Sequence, residues 1–270
     1  MNNYYKYQAL GNDYLVLDPK SFIYPLNEQR INRICHRNFG IGSDGILYGP
    51  EFRSDGTPHV TIYNPDGSEA EKSGNGVRIF SKYLYDQSYI KENSFLLNTK
   101  GGVVSVTRNN FSDFTVSMGV LSTAGNKEIE IEGKKYRLHL ASIGNPHAVS
   151  MLDEISENLA RKIGPVVENH EFFPNRTNVQ LAQISDRKNI NAQIWERGAG
   201  YTLASGSSSC AIVGVCYRLE LCDEEVKVHM PGGDLEITVN KQFEMTMKGE
   251  VSNVAKGEFA TQFMDELLYL

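Results

Sequence analysis

Two short stretches place a serine at the mouth of an apolar helical run. Ser73-Gly74-Asn75-Gly76 leads into Val77-Arg78-Ile79-Phe80, and Ser205-Gly206-Ser207-Ser208 leads into an apolar run ending near Tyr217. A helix N-terminus offers backbone N–H groups that lack acceptors and carries a partial positive charge. Glycines just inside let a ligand approach the backbone closely. The combination suits a carboxylate or phosphate. Two such entrances facing one cleft would hold one small anionic ligand from both sides. Serine is also a favoured N-cap, so each hydroxyl could serve only its own helix. The glycines weigh against that, because Gly76 in the first turn costs roughly 0.5–1 kcal/mol relative to alanine. Three consecutive serines at 207–209 are also poor choices for a helix start.

Other polar residues invite the same question. Asn12 and Asp13 lie in ALGNDY, Asn145 and His147 in GNPHA, Asn178 in FPNRTNVQ, and Glu196-Arg197 follow Trp195. Each has an ordinary reading as a turn, a surface histidine, a strand start or a solvated charge pair. Their joint occurrence beside two glycine-gated helix entrances favours a binding or catalytic site.

The elements that must position these residues are mostly strands. Residues 14–17, 59–63, 103–106 and 114–118 are short β-branched or aromatic runs bounded by turn residues. Residues 136–140, 191–195 and 235–239 alternate in the same way. Helical periodicity is clear at 27–36 and after each serine. Val77, Phe80 and Leu84 give the first serine helix one apolar face, and the second is apolar nearly all round, as a buried helix would be. Each half of the chain runs through strands, a Ser-Gly helix entrance and further strands. The expected fold is therefore α+β with two like halves, residues 1–118 joined by 256–270, and residues 119–255.

Composition narrows the function. With 270 residues, 40% apolar and 22% charged, the chain is folded and large enough for two domains. A net charge of −6 with no dense Lys/Arg cluster argues against nucleic acid. No leader-like N-terminus or long apolar stretch is visible, so a cytoplasmic protein without a membrane partner is expected. Cys35, Cys210, Cys216 and Cys222 form no C-x-x-C pair and read as reduced thiols rather than disulfides or metal ligands.

Seven motifs in order carry a resemblance over essentially the whole chain. They are ALGNDY (9–14), GIGSDGIL (40–47), YNPDGSEAEKSGNGVR (63–78), GNPHAV (144–149), FPNRTNVQ (173–180), WERGAGYTLASG (195–206) and PGGDLEI (231–237). The sequence resembles the diaminopimelate epimerase family. The resemblance implies two pseudo-symmetric domains, each a β-barrel-like sheet around a central helix, and an isomerase needing neither pyridoxal phosphate nor metal. It implies conversion of LL- to meso-diaminopimelate, in lysine and cell-wall precursor synthesis, by two acid/base residues on opposite faces of the α-carbon. A homodimer fits the same reading.

The family's acid/base residues are cysteines, and the matching positions here are Ser73 and Ser205. The resemblance further implies Asn12, Asn64, Asn178 and Arg197 around the substrate's distal groups, Gly74, Asn75, Gly206 and Ser207 at its α-carboxylate, and Asn145 among the substrate-binding residues. Glu196 would lie near the amino group, with His147 and Glu196 assisting the chemistry. A hydroxyl is a far weaker acid than a thiol and needs a strong base beside it. Either an inactive double variant or a natural branch carrying serines would explain the pair. The flanking departures, such as Lys72 before the first serine and Ser208 in the second motif, favour the natural branch. Gly45 stands where some relatives carry a glutamine. The alternatives are a related isomerase or dehydratase acting on another small amino or hydroxy acid, and a non-catalytic amino-acid-binding homologue.

Overall fold

The computed structural model describes residues 2–71 and 73–270, so Lys72 lies outside the described residues. The chain divides into two compact units, one of Met1–Val116 with Glu250–Leu270, the other of Ser117–Gly249.

The first unit opens with β1 (Asn3–Ala9) and β2 (Asn12–Leu17), an antiparallel hairpin. Its two-residue turn, Leu10-Gly11, has φ of 55° and 84°. Positive φ at both central residues matches the right-handed twist of the flanking strands, and glycine accepts it without a Cβ penalty. Helix α1 (Glu28–Cys35) begins where the Asn27 side chain accepts the Arg30 N–H. Next come β3 (Ile46–Phe52), β4 (Pro58–Tyr63), β5 (Glu69–Ala70), helix α2 (Gly74–Asp86), β6 (Ser94–Thr99), β7 (Gly102–Arg108) and β8 (Asp113–Val120), whose residues from Ser117 on belong to the second unit. β3 lies parallel to β2, β5 antiparallel to β4, and β6 returns parallel to β4.

The second unit contains β9 (Ser122–Ile131), β10 (Lys134–Ser142), β11 (Pro146–Met151), helix α3 (Glu157–Glu168), β12 (Asn178–Asp186), β13 (Asn189–Glu196), β14 (Gly200–Thr202), helix α4 (Gly206–Arg218), β15 (Glu225–Met230), β16 (Gly233–Val239) and β17 (Glu244–Glu250). Here β12 lies parallel to β11, β14 antiparallel to β13, and β15 returns parallel to β13. The sequence of strand, short antiparallel strand, helix and parallel return is thus the same around α2 and around α4. The chain then re-enters the first unit as β18 (Ser252–Glu258), antiparallel to β1, and helix α5 (Thr261–Leu268). The boundary expected at 255/256 would divide β18, whose register with β1 runs from Gln8↔Ser252 to Asn3↔Glu258.

Both serine helices are central. α4 packs against β10, β11, β12, β15 and β16, and is buried from Ser208 through Cys216. Gly214 permits this closeness, since a Cβ there would lie 2.7 Å from Leu121 Cδ2. α2 contacts β1, β2 and β3. Its buried residues run without a break from Asn75 to Leu84, so the single apolar face expected from Val77, Phe80 and Leu84 is in fact burial all round. Arg78, Ser81 and Lys82 masked this in the sequence, because polar side chains conventionally mark a solvent face. Outside this layer, Ile31 and Ile34 of α1 meet Phe259, Met264 and Leu267 in one cluster, and α3 covers β12 through Ala160, Ile163 and Val167.

Candidate active site

In the first unit the site is built on the entrance to α2. Ser73 is the N-cap, with extended φ of −133° and ψ of 117°, and its Oγ accepts the Gly76 N–H at 3.0 Å. The Tyr14 hydroxyl donates to the same oxygen at 3.3 Å. The serine that the sequence offers as a candidate site residue is therefore also the cap of its helix. Gly76 has a packing reason, since a Cβ there would lie 3.1 Å from Leu47 Cδ2 and 3.2 Å from Ser73 Cβ.

The rest of this half is a chain of amides and charges. Arg78 Nη2 donates to Asn75 Oδ1 at 2.6 Å, and Asn75 Nδ2 donates to Asn12 Oδ1 at 3.2 Å. Asn12 Nδ2 donates to Asp44 Oδ2 at 3.0 Å. Arg37 binds both Asp44 and Asp13, and Lys6 also binds Asp13, at 2.6–2.8 Å. Burial works against the Asp13 charge, but the hydrogen bonds and charges of Arg37 and Lys6 outweigh it and hold its carboxyl below the usual range. Asp13 is thus a structural anion within the network. Asn64 stands apart from this network. It closes the turn after β4, its N–H and side chain bonding to Ser68.

In the second unit Ser205 caps α4 with the same extended backbone, φ −147° and ψ 124°, but its side chain makes no cap hydrogen bond. The Ser209 N–H and Oγ both bond to the Ser205 carbonyl, at 3.1 and 2.9 Å. Among the described residues the N–H groups of Gly206, Ser207 and Ser208 have no acceptor, nor do those of Gly74 and Asn75 at α2. Each entrance therefore presents unpaired backbone donors beside a serine hydroxyl.

His147 is interior, 1% exposed on β11, rather than a surface residue. Its Nε2 pairs with Asn145 Oδ1 at 3.0 Å and its Nδ1 with Gln180 Nε2 at 3.1 Å. With the Gln180 amide donating, Nδ1 accepts and Nε2 carries the proton toward Asn145. Burial, reinforced by the nearby Arg197 charge and only partly offset by Gln180, pushes the imidazole down to about 3, so the ring is neutral. Gln180 also reaches Ser208 Oγ at 3.0 Å, tying His147 to the first turn of α4.

Asn178 Nδ2 donates to the Pro146 carbonyl at 2.8 Å, and its Oδ1 accepts the Arg197 N–H at 2.9 Å. It joins GNPHA to the turn carrying Glu196 and Arg197. Glu196 ends β13 opposite Gly200, and the exposed Arg197 reaches the Asn175 carbonyl at 3.3 Å. Sequence reasoning missed the residue under this turn. The buried Glu168 carboxylate accepts from Trp195 Nε1 at 2.7 Å, the Gly198 N–H at 2.8 Å and Arg176 at 3.2 Å. Gln180 was missed as well. Gln180 follows Asn178 by two on a strand and so shares its face, a signal that was available.

All four cysteines are buried. Burial pushes Cys35 and Cys222 up to about 11 and Cys216 to about 12, so none of these three is a thiolate at neutral pH.

Two units of like local topology, each centred on a largely buried helix with serine at its N-cap and, among the described residues, N–H donors without acceptors in its first turn, define a racemase-type fold. The sequence profile of the family described as diaminopimelate epimerase matches residues 4–124 and 139–254. The chain is 46% identical to diaminopimelate epimerase 2 of Nostoc sp. (strain PCC 7120), covering 96% of both chains. It is 33% identical to the diaminopimelate epimerase of Alkaliphilus metalliredigens over 94% of this chain and 96% of that one. Among solved structures, the hydroxyproline epimerase of Agrobacterium vitis shares the fold at a TM-score of 0.72 and 13% identity, covering 97% of this chain and 93% of that one. A phenazine biosynthesis protein of the PhzF family from Bacillus anthracis shares it at 0.74 and 14%, covering 96% and 99%. The chain belongs to the diaminopimelate epimerase family and is an isomerase of the epimerase class.

Proposed function

We propose that the protein inverts the α-carbon of a dicarboxylic amino acid of the diaminopimelate type, with the serines at the entrances of α2 and α4 as its acid and base. The observation that carries this reading is the matched pair of serine-capped helix entrances, each with unpaired N–H donors. On this reading Gly74-Asn75 and Gly206-Ser207 bind the α-carboxylate, and their N–H groups stabilise the charge that develops as the α-proton leaves. Asn12, Asn64, Asn145, Asn178 and Arg197 hold the distal amino-acid end, where a guanidinium fork suits a carboxylate. Glu196 faces the amino group. His147, neutral and engaged at both ring nitrogens, orients Asn145 and Gln180 rather than carrying the proton. Ser73 and Ser205 are the acid and base.

The test is deuterium wash-in at the α-carbon, together with inversion of diaminopimelate, in the parent, Ser73→Cys, Ser205→Cys and the double variant. A thiol keeps a few per cent thiolate at neutral pH, and a helix N-terminus raises that fraction. The double variant should exchange and invert fastest, and each single variant much less, because inversion needs a base on one face and an acid on the other. Equal rates in all four would remove both serines from the chemistry. Binding without exchange in any of the four would leave an amino-acid-binding homologue.

A further inference from the structure

The two entrances differ in one respect that bears on how a serine could work there. Ser205 Oγ makes no cap bond, whereas Ser73 Oγ receives two donors, the Gly76 N–H and the Tyr14 hydroxyl. Tyr14 lies on β2, 6% exposed, with its ring packed over Gly45. A Cβ at position 45 would lie 2.7 Å from Tyr14 Cε1 and 2.4 Å from the Tyr63 carbonyl oxygen, so the missing side chain at 45 is what admits the ring. The phenol is thereby held against Ser73 Oγ.

We propose that Tyr14 is a catalytic residue, the acid–base partner of Ser73; this rests on the reading of Ser73 as a proton-transfer group. When the Ser73 face supplies the proton, the carbanion's electron pair takes the hydrogen of Ser73 Oγ–H to form the new C–H bond. Ser73 Oγ takes the phenolic hydrogen of Tyr14 in the same movement, leaving a tyrosinate. In the reverse direction the tyrosinate recovers its proton from Ser73 as Ser73 removes the α-proton, and otherwise water reprotonates it. The ion formed is thus a phenolate, from an acid of ordinary pKa near 10, instead of a serine alkoxide. The polarity of the observed bond, phenol donating to Ser73, is the one proton delivery requires. Its 3.3 Å length is within the loose range of catalytic pairs before substrate binds.

Two measurements test this. The first needs no activity. In Ser73→Cys the new thiol is the reactive one, since the four native cysteines are buried. Its apparent pKa is read from the pH dependence of iodoacetamide alkylation, with and without Tyr14→Phe. Losing a donor to the thiolate should raise that pKa by about one unit; an unchanged profile overturns the pairing whether or not the parent is active. The second compares α-deuterium exchange of diaminopimelate in the parent and Tyr14→Phe, which keeps the ring and its packing. Exchange should fall by about 100-fold or more, while calorimetric affinity holds. In the Ser73→Cys background the same change should cost less than about 10-fold, since a thiol works unassisted. Exchange in Tyr14→Phe within about three-fold of the parent, or an equal loss in both backgrounds, overturns the proposal while the function stands. A parent with no exchange, beside a shifted thiol pKa, removes the epimerase reading and the relay with it, and leaves Tyr14 a neighbour of position 73 only.

Discussion

At the scale of residues, the first turn of α4 is tied to neutral polar groups, Ser208 to Gln180, Gln180 to His147 and His147 to Asn145. His147 is the clearest case, because an imidazole at 1% exposure between two amides has no counter-ion and is cheaper unprotonated. Its folded pKa, about 3, lies below the ordinary 6.5. The unfolded chain therefore binds the extra proton first as pH falls. The stability associated with the neutral ring is fully present above 6.5 and is lost progressively between 6.5 and about 3. One proton gives a slope of at most about 1.4 kcal/mol per pH unit in that window. His147→Gln should flatten urea stability against pH there; a slope the same in both proteins would mean that His147 already charges in the folded state. The residue types of this half-site could be read from the sequence, but their protonation could not. GNPHA gives no sign that its histidine is interior, because the burial comes from the pairing of β11 with β12 and from α4 behind them.

At the scale of elements, the strands and the two serine helices were legible because alternation and capping are local signals. Helices α3 and α5 were not. α3 contains Gly164-Pro165, a pair that normally ends a helix. Pro165 falls in its last turn, where it forfeits one bond, its own to the Arg161 carbonyl, and only three helical residues follow it. Gly164 is required by Trp195, whose Cγ would lie 2.4 Å from a Cβ at that position. α5 is eight residues at the chain end, and forms because the first unit's core receives Met264 and Leu267. The same contact between α3 and β13 delivers Glu168 to the turn after Trp195, a pairing about 30 residues apart that no local pattern announces. Glu168→Gln replaces one of two accepting oxygens with a donor and deprives the N–H of Trp195 or Gly198 of its buried acceptor. The expected cost is about 1–3 kcal/mol in urea denaturation. Substrate affinity should weaken along with it, because Arg197 sits between Trp195 and Gly198. Denaturation midpoint and affinity both equal to the parent's would show that the turn holds without the carboxylate.

At the scale of the whole molecule, the two units differ in how the chain builds them. The second is one continuous segment, Ser117–Gly249, whereas the first is closed only when Glu250–Leu270 returns to it. That return supplies β18, paired along β1, and the buried Phe259, Met264 and Leu267. Each of those side chains contributes about 1.5–3 kcal/mol by leaving water. Three of them, with a whole strand of backbone hydrogen bonds, reach the scale of a domain's entire stability, about 5–15 kcal/mol. Ending the chain after Gly249 should therefore unfold the first unit, while the second keeps its sheet around α4. Hydrogen exchange separates the two outcomes. Amides of β1, β2 and α2 should exchange at unfolded rates, and those of β12, β13 and α4 should stay protected. Protection retained in β1 would show that the first unit closes without its C-terminal strand. Loss of protection in α4 as well would show that the continuous unit depends on the discontinuous one for its fold.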